Sequence, residues 1–268
     1  MTRCGVGGIL IPMSPGIFIL LVVAHQLVSL FMHSFFLHRY ATHGQFSMNH
    51  NTERVFYFLT WFFQGPAFLD PKAYAKLHLE HHAHSDTKDD PHSPLNFSHS
   101  KFGLDVAVAL PKMMWYTKKI YVEIREGKNA IAQLYQDRHF PKWNHFQTFS
   151  NSIFAMALTA LIVIALYILF APVWWCWLFL PLSLLNGPAQ GAVVNWCGHM
   201  WGYRNFKLAD NSRNTPVLGT LMLGECFQNN HHQYPQSPNF AKRWFEFDPI
   251  YPVIMLFSWT KIITLPKK

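Results

Sequence analysis

The chemistry in this chain is carried by imidazoles. Sixteen of its 268 residues are histidine, and eight stand in three short motifs and beside a fourth position. HRYATH supplies His38 and His43, HLEHH supplies His78, His81 and His82, and QNNHH opens on Gln228 and closes on His231 and His232. His199 follows Asn195 by four residues. On a helix, the i, i+3, i+4 spacing of HLEHH puts its three imidazoles on one face, within reach of shared metal ions. The flanking AYAKLHLEHHAH favours a helix, with no Gly or Pro. His231 and His232 diverge on a regular helix, which suits them to two different metals. His38 and His43 lie about 140° apart on an α-helix and converge only if the helix ends near the motif. Eight imidazoles exceed one tetrahedral site and suit two metals. Imidazole takes Zn, Cu, Fe or Ni, so donor type alone leaves the metal open. There is no thiolate set, and the ExxH signature of carboxylate di-iron bundles is absent.

Apolar segments must position these motifs. Half of the residues are hydrophobic and 13% are charged, against about a quarter in soluble domains. Aromatic residues make up 16%, as expected of a chain with many side chains at a membrane interface. Spans are expected at about 16–37, 150–170 and 174–194, the last kinked by Asn186-Gly187-Pro188 and Gly191. The piece 55–69, broken by Gly65-Pro66, is too short to cross and reads as re-entrant or interfacial. Residues 70–145 and 198–268 are polar, with an interfacial stretch from Tyr251 to Leu265. The first span runs straight into a histidine motif and is read as a span, not a cleaved leader.

The net charge is +8, yet residues 143–203 carry no Asp, Glu, Lys or Arg. Thirteen Lys/Arg fall in 38–142 and eight in 204–268, flanking apolar spans in the positive-inside manner, which argues against a nucleic-acid surface. With 55–69 on one side of the bilayer, one crossing before His38 and a helical hairpin before His199 bring every cluster to the same face, expected to be cytoplasmic. Cys4, Cys176, Cys197 and Cys226 form no CxxC pair and read as reduced, buried residues.

HRYATH, HLEHH and QNNHH, in this order, resemble the histidine boxes of membrane fatty acid desaturases, above all short bacterial members of the acyl-CoA (stearoyl-CoA) type. DDPHSP at 89–94, NWCGH at 195–199 and GECFQNNHHQYP at 224–235 extend the resemblance from about Leu20 to Leu265. It implies an all-α integral membrane protein forming one domain over 1–268. About three transmembrane helices and a re-entrant helix would carry a cytosolic helical cap, in a bacterial inner membrane. The resemblance implies two Fe2+ ions on His38, His43, His78, His81, His82, His199, His231 and His232, with O2 as co-substrate and Asn195 reaching one metal through water. This sequence departs from the family pattern at Gln228, where a histidine is usual: Gln228 either offers a metal its carbonyl oxygen, a weaker donor than imidazole, or acts behind the ligands with water in the open position.

The implied activity is insertion of a cis double bond into a long-chain acyl group, carried by CoA, at position delta-9. No nicotinamide, flavin or haem motif is present, so electrons would come from a separate ferredoxin or cytochrome b5-type donor. Second N–H groups of ligating histidines usually meet carboxylates. Glu80, Asp86, Asp89, Asp90 and Glu225 are candidates. Glu225 and Asp90 are favoured, and much of 86–90 reads as solvated loop charge. Trp61, Phe63, Gln64 and Gly187 are expected along an acyl tunnel. Lys72, Lys76, Lys118 and Lys119 are more simply positive-inside charge than head-group ligands. A related acyl hydroxylase is the alternative enzyme. A membrane metal transporter is the non-catalytic alternative, disfavoured by spans with almost no polar residues.

Overall fold

The protein is described by a computed structural model covering residues 13–98, 100 and 102–266. Among the described residues the regular structure is helical apart from one two-stranded pairing and isolated bridges, with irregular loops between the helices.

Helix α1 (Pro15–Met32) begins with Pro15 and a Ser14 hydroxyl that accepts the Ile17 N–H at 3.2 Å. The chain then widens into a π-helix, His33–Thr42. Strand β1 (Ser47–Met48) leads into α2 (His50–Gln64), capped by Asn49. Its 15 residues reach only about 22 Å, short of a ~30 Å hydrocarbon core. It stops at Gly65, whose φ of +56° suits glycine, and a 3-10 turn follows. Helix α3 (Pro71–His84) starts on an Asp70 cap with Pro71 in its first turn, and α4 (Leu104–Arg125) packs on it through Ala73, Leu77, Tyr121 and Ile124.

A short α5 (Asn144–Ser150) precedes α6 (Ile153–Phe170), capped by Ser152. Among the described residues, Pro15–Thr42 and Ile153–Phe170 are long and apolar enough to cross a membrane. Only 22% and 17% of their most apolar stretches are buried inside the protein, so most of each apolar surface faces outward, unlike a soluble core helix.

The expected third span is not one helix. Residues Trp174–Phe179 form a 3-10 turn, α7 covers Leu180–Leu184, and α8 restarts at Asn186 and ends at Met200. The physical reason is local. Pro188 has no N–H to return to Leu184, and Asn186 Oδ1 takes the Gly187 N–H at 2.8 Å.

Helices α9 (Pro216–Leu221), α10 (Gln228–Gln233) and α11 (Ile250–Trp259) follow. Strand β2 (Ile263–Thr264) then pairs antiparallel with β1, Met48 opposite Ile263. The main core wraps the π-helix, with Phe35, Phe36 and Leu37 packed among Tyr57, Ile250, Ile254 and Ile263. Cys176, Cys197 and Cys226 are free and buried as expected; Cys4 and the rest of residues 1–12 lie outside the described residues.

Candidate metal centre

Four elements bring the eight histidines together in two groups. His38 and His43 of the π-helix end meet His78 and His82 of α3 and His231 of α10. His81 of α3 meets His199 of α8 and His232 of α10. Within each group the donor atoms lie within 4.8 Å of one another.

The π-helix solves the angular problem of HRYATH. The N–H of His43 returns to the carbonyl of His38 at 3.1 Å, an i→i+5 bond, so a five-residue spacing is close to one turn and both rings face one way. The helix does end at the motif, at Thr42, and its last ten residues form this wider coil. On α3, the face carrying HLEHH is shared, with His78 and His82 turned to the first group and His81 to the second. Adjacent His231 and His232 diverge, one to each group.

Carboxylates fix the rings from behind. Nδ1 of His38 faces Glu225 at 2.5 Å, His81 faces Asp90 at 2.8 Å, His199 faces Asp86 at 2.8 Å and His232 faces Asp210 at 2.8 Å. Ser34 donates to the second oxygen of Glu225. Burial alone would raise all four acids, but the imidazole each one faces outweighs it and holds them below the usual carboxylate range, Glu225 at about 2. Each ionised acid takes a proton-bearing Nδ1, which leaves Nε2 as a bare lone pair.

The inward-facing Nε2 atoms converge. Nε2 of His231 lies 2.9 Å from Nε2 of both His38 and His82, and Nε2 of His78 lies 3.0 Å from that of His82. Nε2 of His43, His81, His199 and His232 is buried with no hydrogen-bond partner. Burial pushes the His78, His82 and His231 rings well below their ordinary pKa, so protonation does not relieve the crowding. Convergent neutral nitrogens about 3 Å apart match adjacent donors on one cation with metal–nitrogen bonds of about 2.1 Å. The donor set therefore fits two transition-metal ions.

Asp86 is thus not a solvated loop charge, since its carboxylate also accepts from Ser93 and the Asn211 N–H. Asp89 is exposed, and Glu80 turns to Tyr135 and His84, so neither supports a ligand. Sequence reasoning missed Asp210, which lies in no motif and reaches His232 through a loop. It also passed over His92 of DDPHSP, buried with both ring nitrogens unpaired and stacked 4.3 Å from His81. Gln228 is buried, its Nε2 donating to the Glu225 carbonyl at 2.7 Å and its Oε1 unpaired. Asn195 is half-buried on α8.

Of the expected tunnel residues, three meet. Gln64 is fully buried against Gly187, and the Phe63 carbonyl takes an N–H of Asn186 at 2.9 Å. Trp61 turns instead to Phe146 and Phe149. Lys76 is buried, donating to the carbonyls of Ala132 and Leu134 at 2.6 Å each, so it is a structural cation rather than a surface charge.

Comparison with known proteins gives the family. Residues 14–257 match the fatty acid desaturase family. The chain is 28% identical over 88% of its length, and 72% of the relative's, to the Arabidopsis thaliana "Delta-9 desaturase-like 5 protein". It is 29% identical to the Limnanthes douglasii "Icosanoyl-CoA 5-desaturase", covering 81% of the chain and 55% of the relative. It is 25% identical to the Anemone leveillei "Acyl-CoA C20 Delta5-desaturase", covering 85% and 66%. With a family match across nearly its whole length, this chain belongs to the fatty acid desaturase family and is an oxidoreductase.

Proposed function

We propose that this chain is an O2-dependent desaturase of long-chain acyl-CoA, working at two irons held by the eight histidines. The observation that carries the reading is the convergence of two sets of imidazole nitrogens, with four of the eight rings held from behind by carboxylates. Two irons bound there would supply the oxidant strong enough to take hydrogen from an unactivated methylene.

The residues do the rest. Glu225, Asp90, Asp86 and Asp210 hold the imidazoles in one tautomer and orientation. Gln64, Phe63 and Gly187 are proposed to line the path of the acyl chain. A dry apolar path would exclude water from the reacting carbons and favour removal of two hydrogens over transfer of oxygen. Electrons are proposed to come from a separate ferredoxin or b5-type protein, and the histidine face to lie on the cytoplasmic side. The relatives are named as a delta-9 desaturase-like protein and as delta-5 desaturases, so likeness leaves the position open; delta-9 is the starting expectation.

The test is expression in a host whose fatty acids are profiled by mass spectrometry, beside a His81→Ala control. New products lighter by two hydrogens, absent in the control, are expected. Products heavier by one oxygen would replace this reading with a hydroxylase. Unsaturated products that persist in the control would remove the metal centre from the reaction.

A further inference from the structure

We propose that Gln228 is the fourth donor of the second group, through its side-chain carbonyl oxygen. The two metal positions are then chemically unequal: five imidazoles at one, three imidazoles and an amide oxygen at the other. This rests on the two-metal reading above.

Three observations converge on Gln228. It opens α10 one turn before His232, so the two side chains share a helix face. Its Cγ packs so tightly on Gly198 that no Cβ fits there, and Gly198 is the residue before His199. The elements carrying two of the three histidines of the second group therefore flank it. Finally, the amide is oriented: Nε2 donates to the Glu225 carbonyl at 2.7 Å, which leaves Oε1 as the buried atom with no partner. A buried carbonyl oxygen left unpaired is unfavourable unless something electropositive meets it.

His92 is the rival donor. Its ring stacks on the face of His81, 4.3 Å between centroids with planes 31° apart. Its donor atoms group with Asp90 and His81, not with His199 and His232. That geometry places it behind His81 rather than beside the lone pairs that converge.

An amide oxygen is a harder and weaker donor than imidazole for a borderline divalent ion. The second position is expected to release its metal first. The experiment loads the purified full-length protein in detergent with Fe2+ under anaerobic conditions. It then reads metal per chain and the rate of transfer to a chromogenic chelator. Wild type should hold two ions and release them in two phases. Gln228→His should slow the faster phase by about tenfold or more, and Gln228→Met, similar in length without the oxygen, should weaken that position by a similar factor. The slow phase persisting in Gln228→Met shows that the fold and the first position survive. His92→Ala should release like wild type. A Gln228→Met protein that keeps two ions with wild-type kinetics overturns the assignment. So does a His92→Ala protein that alone empties one position. A wild-type chain that holds fewer than two ions overturns the two-metal reading instead.

Discussion

Four of the eight candidate ligands are pairs, an imidazole and the carboxylate behind it. The pairs differ in how well they could be read from sequence. Glu225 and Asp90 sit within motifs that also hold histidines, so proximity along the chain suggested their partners. Asp86 lies in the charged run Asp86–Asp90, where most side chains do face water; only the fold separates half-buried Asp86, whose side chain is enclosed, from exposed Asp89. Asp210 reaches His232 across a loop stabilised by its own Ser212 contacts, a short-range pattern that names a turn and not a ligand. The consequence is testable. Asp86→Asn or Asp210→Asn keeps the shape but removes the charge that fixes the proton on Nδ1. Each should weaken metal binding about 10- to 100-fold, read as metal per chain at limiting iron, while Asp89→Asn changes nothing. Equal losses in all three variants would mean that general surface charge, not ring orientation, sets affinity.

At the scale of elements, local irregularity places the rings. The π-helix closes an i→i+5 bond between His38 and His43, so removing one residue inside the motif should break the register. Deletion of Ala41 is expected to lower bound metal to about the capacity of the second group alone, because only the first group uses both rings. The six-residue α10 is too short to hold itself. The two asparagines of QNNHH supply the anchor. Asn230 donates to the Phe240 carbonyl and Glu246, at 2.8 Å each, and accepts from Asn205 and Asn214; Asn229 accepts the N–H groups of Asn205 and Phe206. Asn230→Ala should therefore reduce metal content in both groups, since α10 carries a ligand to each. Asp70 plays the same part at α3. It caps the helix while accepting from Gln147 at 2.7 Å and Asn151 at 2.9 Å. Asp70→Ala should lower stability by about 2–4 kcal/mol, seen as a drop in the thermal midpoint in detergent. The α3 helix was legible because HLEHH sits in uninterrupted helix formers. The π-helix was not, because hydrophobic periodicity cannot distinguish a wide coil from a helix about to end. The break at Leu185 was read only as a kink, since its strength depends on Asn186 finding the Phe63 carbonyl across the bundle.

The whole molecule must bring its histidine motifs to one place from distant parts of the chain. The first and second motifs are separated by α2, and the second and third by α4, α6 and the 171–200 region, yet they converge. Among the described residues two helices are long enough to cross a bilayer; if α6 crosses, the chain must return before His199 for the motifs to share a side. On that reading the return leg is the broken stretch from Trp174 through α8, whose irregular backbone would lie at membrane depth and need covering by protein. The covering is in place on α8: Gln190 donates to the Gln26 carbonyl of α1, Asn186 to Phe63 of α2, and Gly187 lies against Gln64. The turn after α6 then lies opposite the histidines, while the loop after HLEHH lies with them. Trp174→Cys, at a side chain 78% exposed, and Lys88→Cys, in the exposed loop, report the two sides. In sealed vesicles of known orientation and a Cys4→Ser background, an impermeant maleimide should label the two introduced cysteines from opposite faces; the native Cys176, Cys197 and Cys226, buried, should stay unlabelled. Labelling of both positions from one face would mean that α6 does not cross, and that the charge-free run from 143 to 203 lies along the membrane instead of through it.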